Sequence, residues 1–172
     1  VKTDAGRYTN NITGTAVVKD AAGNDVTSQF TVKTENGNLV ISKRNVTLTS
    51  ASDSRVYNGK PLTNGKVTVS GDGFATGEGA TYNVTGSQTV AGSRENTFTY
   101  TLNKGTKADN YTITTEKGTL TVTNRDTKYE ITVKANSTNT TYDGQSHTAE
   151  GVETTTFEVD GNTYTVSGLK TE

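Results

Sequence analysis

Few residues of this 172-residue chain have the type and spacing for chemistry. His147 is the only histidine, so a multi-histidine metal site is excluded, and no nucleophile or carboxylate stands beside it in a recognisable motif. It reads as a rim residue. Asp20-Ala21-Ala22-Gly23-Asn24-Asp25 has the oxygen density of a calcium loop but not the acidic spacing or the terminal bidentate Glu, and it reads as a hairpin turn. The Asp and Glu residues are scattered, with no pair set in an apolar surround as acid and base would require. There is no Gly-x-Ser-x-Gly element, phosphate loop or zinc motif. No catalytic, cofactor-binding or metal-ligating residue is therefore assigned, and the chain reads as non-enzymatic. Tyr57 and Tyr142 have binding potential, since each presents an apolar ring with a polar tip just ahead of a turn dipeptide, Asn58-Gly59 or Asp143-Gly144. Either the rings form a ligand surface, or each plugs the edge of its own module while the dipeptide turns the chain.

Composition limits what can position these groups. Only 29% of the chain is hydrophobic and the mean hydropathy is −0.66, so any core is thin. Gly 18 against Pro 1, with abundant Thr, Asn and Ser, points to short strands and turns, and no stretch has sustained helical periodicity. The regular alternation of Val, Ile, Leu, Tyr and Phe with Thr argues against disorder. A net charge of −1 leaves no basic excess for nucleic acid, and no apolar run is long enough to insert in a bilayer. With Cys 0, disulfides and thiol chemistry are excluded. The chain has no signal peptide and no initiator Met, so it is expected to be a piece of a longer exported protein whose signal and anchor lie elsewhere.

The alternation is organised by repetition. Ser28 to Arg44 recurs as Asp109 to Arg125 at a constant offset of 81, pairing Phe30 with Tyr111, Val32 with Ile113, Leu39 with Leu120 and Ile41 with Val122. Asn36-Gly37 and Lys117-Gly118 are turn candidates within the two copies, so each copy is expected to be a β-hairpin with Val32 facing Ile41 and Ile113 facing Val122. Further strands are expected near Thr15 to Lys19, Val67 to Val69, Tyr82 to Val84 and Phe98 to Leu102. Thr155 to Val159 and Thr163 to Val166 are expected to flank Asp160-Gly161. Val46, Leu48 and Tyr57 recur as Ile131, Val133 and Tyr142, at an offset of 85. Residues 1–44 thus read as the second half of a module, 45–125 as a complete module and 126–172 as the first half of another. Two permuted modules, about 1–86 and 87–172, are the alternative frame. The most buried side chains are expected among Phe30, Val32, Leu39, Ile41, Val46, Leu48, Phe98, Tyr100, Tyr111, Ile113, Leu120 and Val122.

Tyr57-Asn58-Gly59 and Tyr142-Asp143-Gly144 after a first strand, Ala5-Gly6 and Ala91-Gly92 before an aromatic, and the ending from Asn110-Tyr111-Thr112-Ile113 to Gly118-Thr119-Leu120-Thr121-Val122 together resemble the MBG/YDG-type repeats of bacterial surface adhesins. One departure is that five residues separate Gly92 from Phe98, whereas Gly6 is followed at once by Arg7-Tyr8. The resemblance implies tandem mostly-β modules on an extracellular bacterial surface or cell wall. With the residue pattern it gives an all-β fold, β-grasp-like or small β-sandwich modules, with little or no helix. The implied role is a stalk or spacer whose partners are neighbouring modules of the same chain. The alternative is a module that binds host mucin glycans or another surface polymer.

Cysteine-free surface modules of this kind sometimes carry a lysine–asparagine isopeptide staple, and both residue types are plentiful here. Nothing in the sequence brings a particular pair together. Intact-mass measurement is expected to return the full sequence mass; a deficit of one ammonia would establish the staple.

Overall fold

Threonine alternating with Val, Leu or Ile favours extended backbone, because branched side chains fit a pleated, half-buried surface. The computed structural model describes all 172 residues and is mostly β. Its strands are β1 (Gly6–Asn10), β2 (Gly37–Ile41), β3 (Arg44–Ser50), β4 (Asp53–Val56), β5 (Val67–Gly71) and β6 (Ala80–Val84). They continue with β7 (Gly92–Glu95), β8 (Phe98–Leu102), β9 (Tyr111–Glu116), β10 (Thr119–Thr123), β11 (Thr156–Val159) and β12 (Asn162–Thr165). The helical content is two single 3-10 turns, Thr27–Gln29 and Ala108–Asn110. The chain divides into two compact units, each assembled from several segments, and residues 45–125 contribute to both.

The first unit comprises Val1–Thr49, Val67–Asn83 and Thr99–Glu116. Its sheets are β1-β2, β5-β3-β9 and β6-β8. In the three-stranded sheet β3 is central and runs parallel to β9, with Arg44 opposite Tyr111 and Thr49 opposite Glu116. Val46 and Leu48 on β3 and Tyr111 on β9 are buried. The loop after β5 closes over this core. Tyr111 packs on Phe74 with ring centroids 5.2 Å apart, donates from its hydroxyl to Glu78 (2.6 Å) and accepts from the Ala75 amide (3.0 Å). Arg44 donates to the carbonyls of Asp72 and Gly73, and the Asp72 carboxylate accepts from the Asn45 amide at 2.8 Å.

The second unit comprises Ser50–Lys66, Val84–Phe98 and Lys117–Glu172. Its sheets are β4-β10-β7 and β11-β12. Here β10 is central, parallel to β4 (Leu120 opposite Asp53) and antiparallel to β7 (Val122 opposite Gly92). Leu62, Leu120 and Val122 form its buried cluster. Beside it lies a buried polar knot. Ser50 donates from its hydroxyl to the Asn96 carbonyl (2.6 Å) and accepts from the Gly118 amide (3.0 Å), while the Asn96 amide nitrogen of the backbone donates to the Gly118 carbonyl (2.7 Å). The Asn96 side chain donates to the carbonyls of Ala51 and Asn64 at 2.8 and 2.9 Å. Gly118 has no room for a side chain, since a Cβ there would lie 2.4 Å from the Ser50 carbonyl oxygen and the Ala51 carbonyl carbon.

Two expected hairpins do not form. Asn36-Gly37 and Lys117-Gly118 carry local turn signals, but the strands after them take distant partners: β2 pairs with β1, and β10 pairs with β4 and β7. Gly118 serves close approach to Ala51 rather than a reversal of the chain. Val32 therefore does not face Ile41, nor Ile113 face Val122.

The expected core is correct for Val46, Leu48, Tyr111, Leu120 and Val122. Ile41, Phe98, Tyr100 and Ile113 are only half-buried. Phe30, Val32 and Leu39 are 57%, 47% and 44% exposed: Phe30 and Val32 lie outside every strand, and Leu39 lies in β1-β2, a sheet of only two strands. Thr15 to Lys19 is not a strand and contributes one bridge, Lys19 to Asp25. Ile131 and Val133, matched in sequence to Val46 and Leu48 of β3, lie outside every strand. The expected strands at Val67, Tyr82 and Phe98 are present, and β11-β12 turns at Asp160-Gly161 with φ of 48° and 72°.

Leu120 and Leu39 stand at matching positions 81 residues apart but differ in burial, 0% against 44% exposed. Leu120→Ala should cost about 2–5 kcal/mol in urea denaturation and Leu39→Ala about 1 kcal/mol or less. Equal costs would contradict the packing.

Candidate functional site

Tyr57 leaves β4 with its amide donating to the Thr123 carbonyl at 2.9 Å, which lays its ring against Leu62, Leu120 and Val122. The ring is thus partly committed to the core, and the hydroxyl is what remains for other contacts. That hydroxyl lies 3.4 Å from the hydroxyl of Tyr164 on β12. Asn162, two residues earlier on the same strand, donates to the Asn58 carbonyl at 3.0 Å. Gly59 makes this approach possible: its φ is +76°, and a Cβ would sit 2.4 Å from the Tyr164 hydroxyl. The Tyr57-Asn58-Gly59 motif is therefore both a turn and the seat of the β11-β12 hairpin.

A second group of contacts adjoins the first. Arg125 places its guanidinium 4.0 Å from the ring centre of Tyr129 and donates to the Tyr129 hydroxyl (3.0 Å), the Thr127 carbonyl (3.1 Å) and the Tyr57 carbonyl (3.4 Å). The Tyr129 hydroxyl donates to Asp160 at 2.7 Å. Tyr57, Asn124, Arg125, Lys128 and Tyr129 line an open cleft of about 470 Å³.

The electrostatics keep Tyr164 and Tyr129 protonated. The hydrogen bond to Tyr57, with some desolvation, pushes the Tyr164 hydroxyl up to about 12, and the bond to the Asp160 carboxylate raises Tyr129. Neither supplies a phenolate base at neutral pH. The cleft offers a ring face, a cation and neutral hydroxyls, which suits contact with a polar surface or polymer; it does not pair a nucleophile with a base.

The other sequence candidates lie apart from this cluster. Tyr142 is 93% exposed and takes no part in it. Its neighbour Asp143 accepts from the Gln145 amide (2.9 Å) and bonds His147 (2.8 Å), so Tyr142-Asp143-Gly144 is a self-contained exposed turn. The Asp20 carboxylate accepts from the amides of Ala22 and Asn24 and from the Asn24 side chain, and the side-chain bond is the main cause of its lowered pKa. These contacts close the turn predicted at Asp20 to Asp25. No lysine is buried, and the fully buried carboxamide, Asn96, already gives its nitrogen to two carbonyls.

The first unit has a tie of its own near the start of the chain. Asp4 bonds Lys107 at 2.8 Å and accepts from Asn110, whose side-chain oxygen accepts from the Ala5 amide at 2.7 Å. The Lys107 hydrogen bond is the main cause of the lowered Asp4 pKa. Sequence reasoning overlooked Tyr129, Tyr164, Arg125 and Asp160 as a group. The Asp160-Gly161 turn was the available signal that Tyr164 folds back beside Asp160.

Comparison with protein-family models, with curated proteins and with solved structures finds no match to this chain.

The Tyr57–Tyr164 contact has a pH signature. Because the folded pKa of Tyr164 is raised, the contact's stabilisation is present below pH ~10 and is lost as the pH climbs towards 12. Tyr57→Phe should bring the Tyr164 titration, followed by NMR of its ring, down towards the ordinary tyrosine value of about 10. An unmoved titration would remove Tyr57 as the cause.

Proposed function

We propose that this chain is a non-catalytic structural spacer, a set of tandem β modules in the stalk of a bacterial cell-surface adhesin, with neighbouring modules as its partners. The observation that carries the reading is a shared register. Gly6 lies opposite Ile41 in the β1-β2 pair, and Gly92 lies opposite Val122 in the β7-β10 pair. Ile41 and Val122 are the counterparts already matched by the 81-residue offset, and each glycine follows an alanine, Ala5 or Ala91. Sequence repetition and strand pairing thus coincide, which supports a repeated module over a chance similarity of Thr-rich strands. The same register accounts for the departure in loop length. Tyr8 opposite Leu39 corresponds to Arg94 opposite Leu120, so Gly92 begins a strand that runs to Glu95 and the positional counterpart of Tyr8 is Arg94, not Phe98.

Further support comes from how flanking residues are held. Asp4 and Ala5 bond the 3-10 turn before β9, and Tyr129, Asn162 and Tyr164 bond residues flanking β4 and β10. Adjacent modules in a spacer require such ties. The location that goes with this reading is extracellular, on the bacterial surface.

The cleft beside Arg125 and Tyr129 favours one second reading, recognition of a mucin glycan or another surface polymer. The two separate in a mucin-retention and glycan-array assay. The spacer reading expects no retention and no change with Tyr129→Ala or Tyr142→Ala. Retention that either substitution abolishes would replace it with the binding reading.

A further inference from the structure

We infer that residues 44–123 form a shear-loaded mechanical clamp, so that the chain resists tension along its length as well as holding distance. The inference goes beyond the spacer reading, since a spacer need only have length. It rests on strand direction. The same two chain segments are paired in parallel in both three-stranded sheets, at one offset: 67 residues separate Arg44 from Tyr111 in β3-β9, and 67 separate Asp53 from Leu120 in β4-β10. Tension on the chain draws β3 towards its N-terminus and β10 towards its C-terminus. Parallel neighbours pulled in those opposite senses slide along one another, so the ladder hydrogen bonds of a sheet must fail together rather than one at a time.

The two strands that receive the load are also the best held. In its own sheet β3 is the middle strand, flanked by β5 and β9, and β10 is the middle strand of the other, flanked by β4 and β7. Each must be sheared from two neighbours to move. They carry the deepest apolar side chains, Val46 and Leu48 on β3 and Leu120 and Val122 on β10, each at most 2% exposed. Buried neighbours keep water from replacing ladder bonds as they stretch.

The flanking pairs have the opposite geometry. In β1-β2 the two loaded ends, Gly6 and Ile41, face one another, as do Thr156 and Thr165 in β11-β12. Tension opens these pairs from one end, bond by bond. The chain thus contains two unzipping pairs as internal references for the two sheared sheets.

Single-molecule force spectroscopy on the full chain, pulled from Val1 and Glu172, tests this. The expected record has early low-force releases followed by high-force rupture of the two three-stranded sheets, together freeing ~80 residues, on the order of 250 Å of chain. The same protein with Lys43→Cys and Asp109→Cys can be pulled through the two thiols, which are unique because the chain has no cysteine. These handles load the N-terminal ends of β3 and β9, where Arg44 faces Tyr111, and peel the pair. Urea denaturation of this variant checks that it folds with unchanged stability. A several-fold fall in rupture force on peeling upholds the clamp. Equal forces in the two geometries, or no event above the early releases, overturn it, whatever the mucin assay returns. A chain that resists shear yet retains mucin leaves the clamp standing and overturns only the spacer reading.

Discussion

The structure depends on the parallel pairing of two segments 67 residues apart, and on the absence of a side chain at Gly118, which lies against the backbone of Ser50 and Ala51. Between β3 and β4, and between β9 and β10, the backbone leaves regular strand. Its polar groups there have to be satisfied in the interior. Ser50 and Asn96 do this, bridging Gly118, Ala51 and Asn64 with short hydrogen bonds. The Asn96 side-chain oxygen accepts none, and it sits where a Cβ on Gly86 would come within 2.2 Å of it. An apolar residue at position 96 would leave the carbonyls of Ala51 and Asn64 unpaired, which explains a polar residue at the best-buried place in a chain with so small a core.

Alternation made the β class legible, and it also concealed the partners. A two-residue turn candidate at the right distance sets Val32 opposite Ile41 and Ile113 opposite Val122 in the sequence pattern, yet the strands take other partners. Period-2 patterning identifies which face of a strand is apolar but is silent on which strand lies beside it. Asp160-Gly161 behaved differently: both residues tolerate positive φ, the flanking strands are short, and the hairpin is local. Burial followed the same division. Leu120 and Leu39 sit at equivalent sequence positions, yet only Leu120 lies in a central strand covered by Leu62, Val122 and Tyr57.

The tyrosine cluster was half visible. Tyr57 stood out through its motif, and the structure gives that motif a reason in the space Gly59 leaves for Tyr164. Tyr142 also precedes a turn dipeptide, Asp143-Gly144, but packs on no buried cluster and stays exposed. A tyrosine before a turn therefore does not by itself predict burial. Arg44 and Arg125 make a similar point: both cap nearby carbonyls, Arg44 those of Asp72 and Gly73, Arg125 those of Tyr57 and Thr127, and neither role could be read from a basic residue at the end of a repeat.

The long separation of β3 from β9 also governs how such a chain comes to fold. A polypeptide delivered N-terminus first exposes Val46 and Leu48 well before Tyr111 and Ile113 arrive, and closing a loop of that length slows the search for the partner. In the interval the segment nearest at hand with matching alternation is Phe30 to Ile41, already synthesised and lacking an apolar cover. The two similar segments, Phe30 to Ile41 and Tyr111 to Val122, thus offer β3 alternative partners while the chain folds. The sequence differences between copies, such as Phe30 for Tyr111 and Leu39-Val40 for Leu120-Thr121, are where discrimination against the wrong partner has to reside.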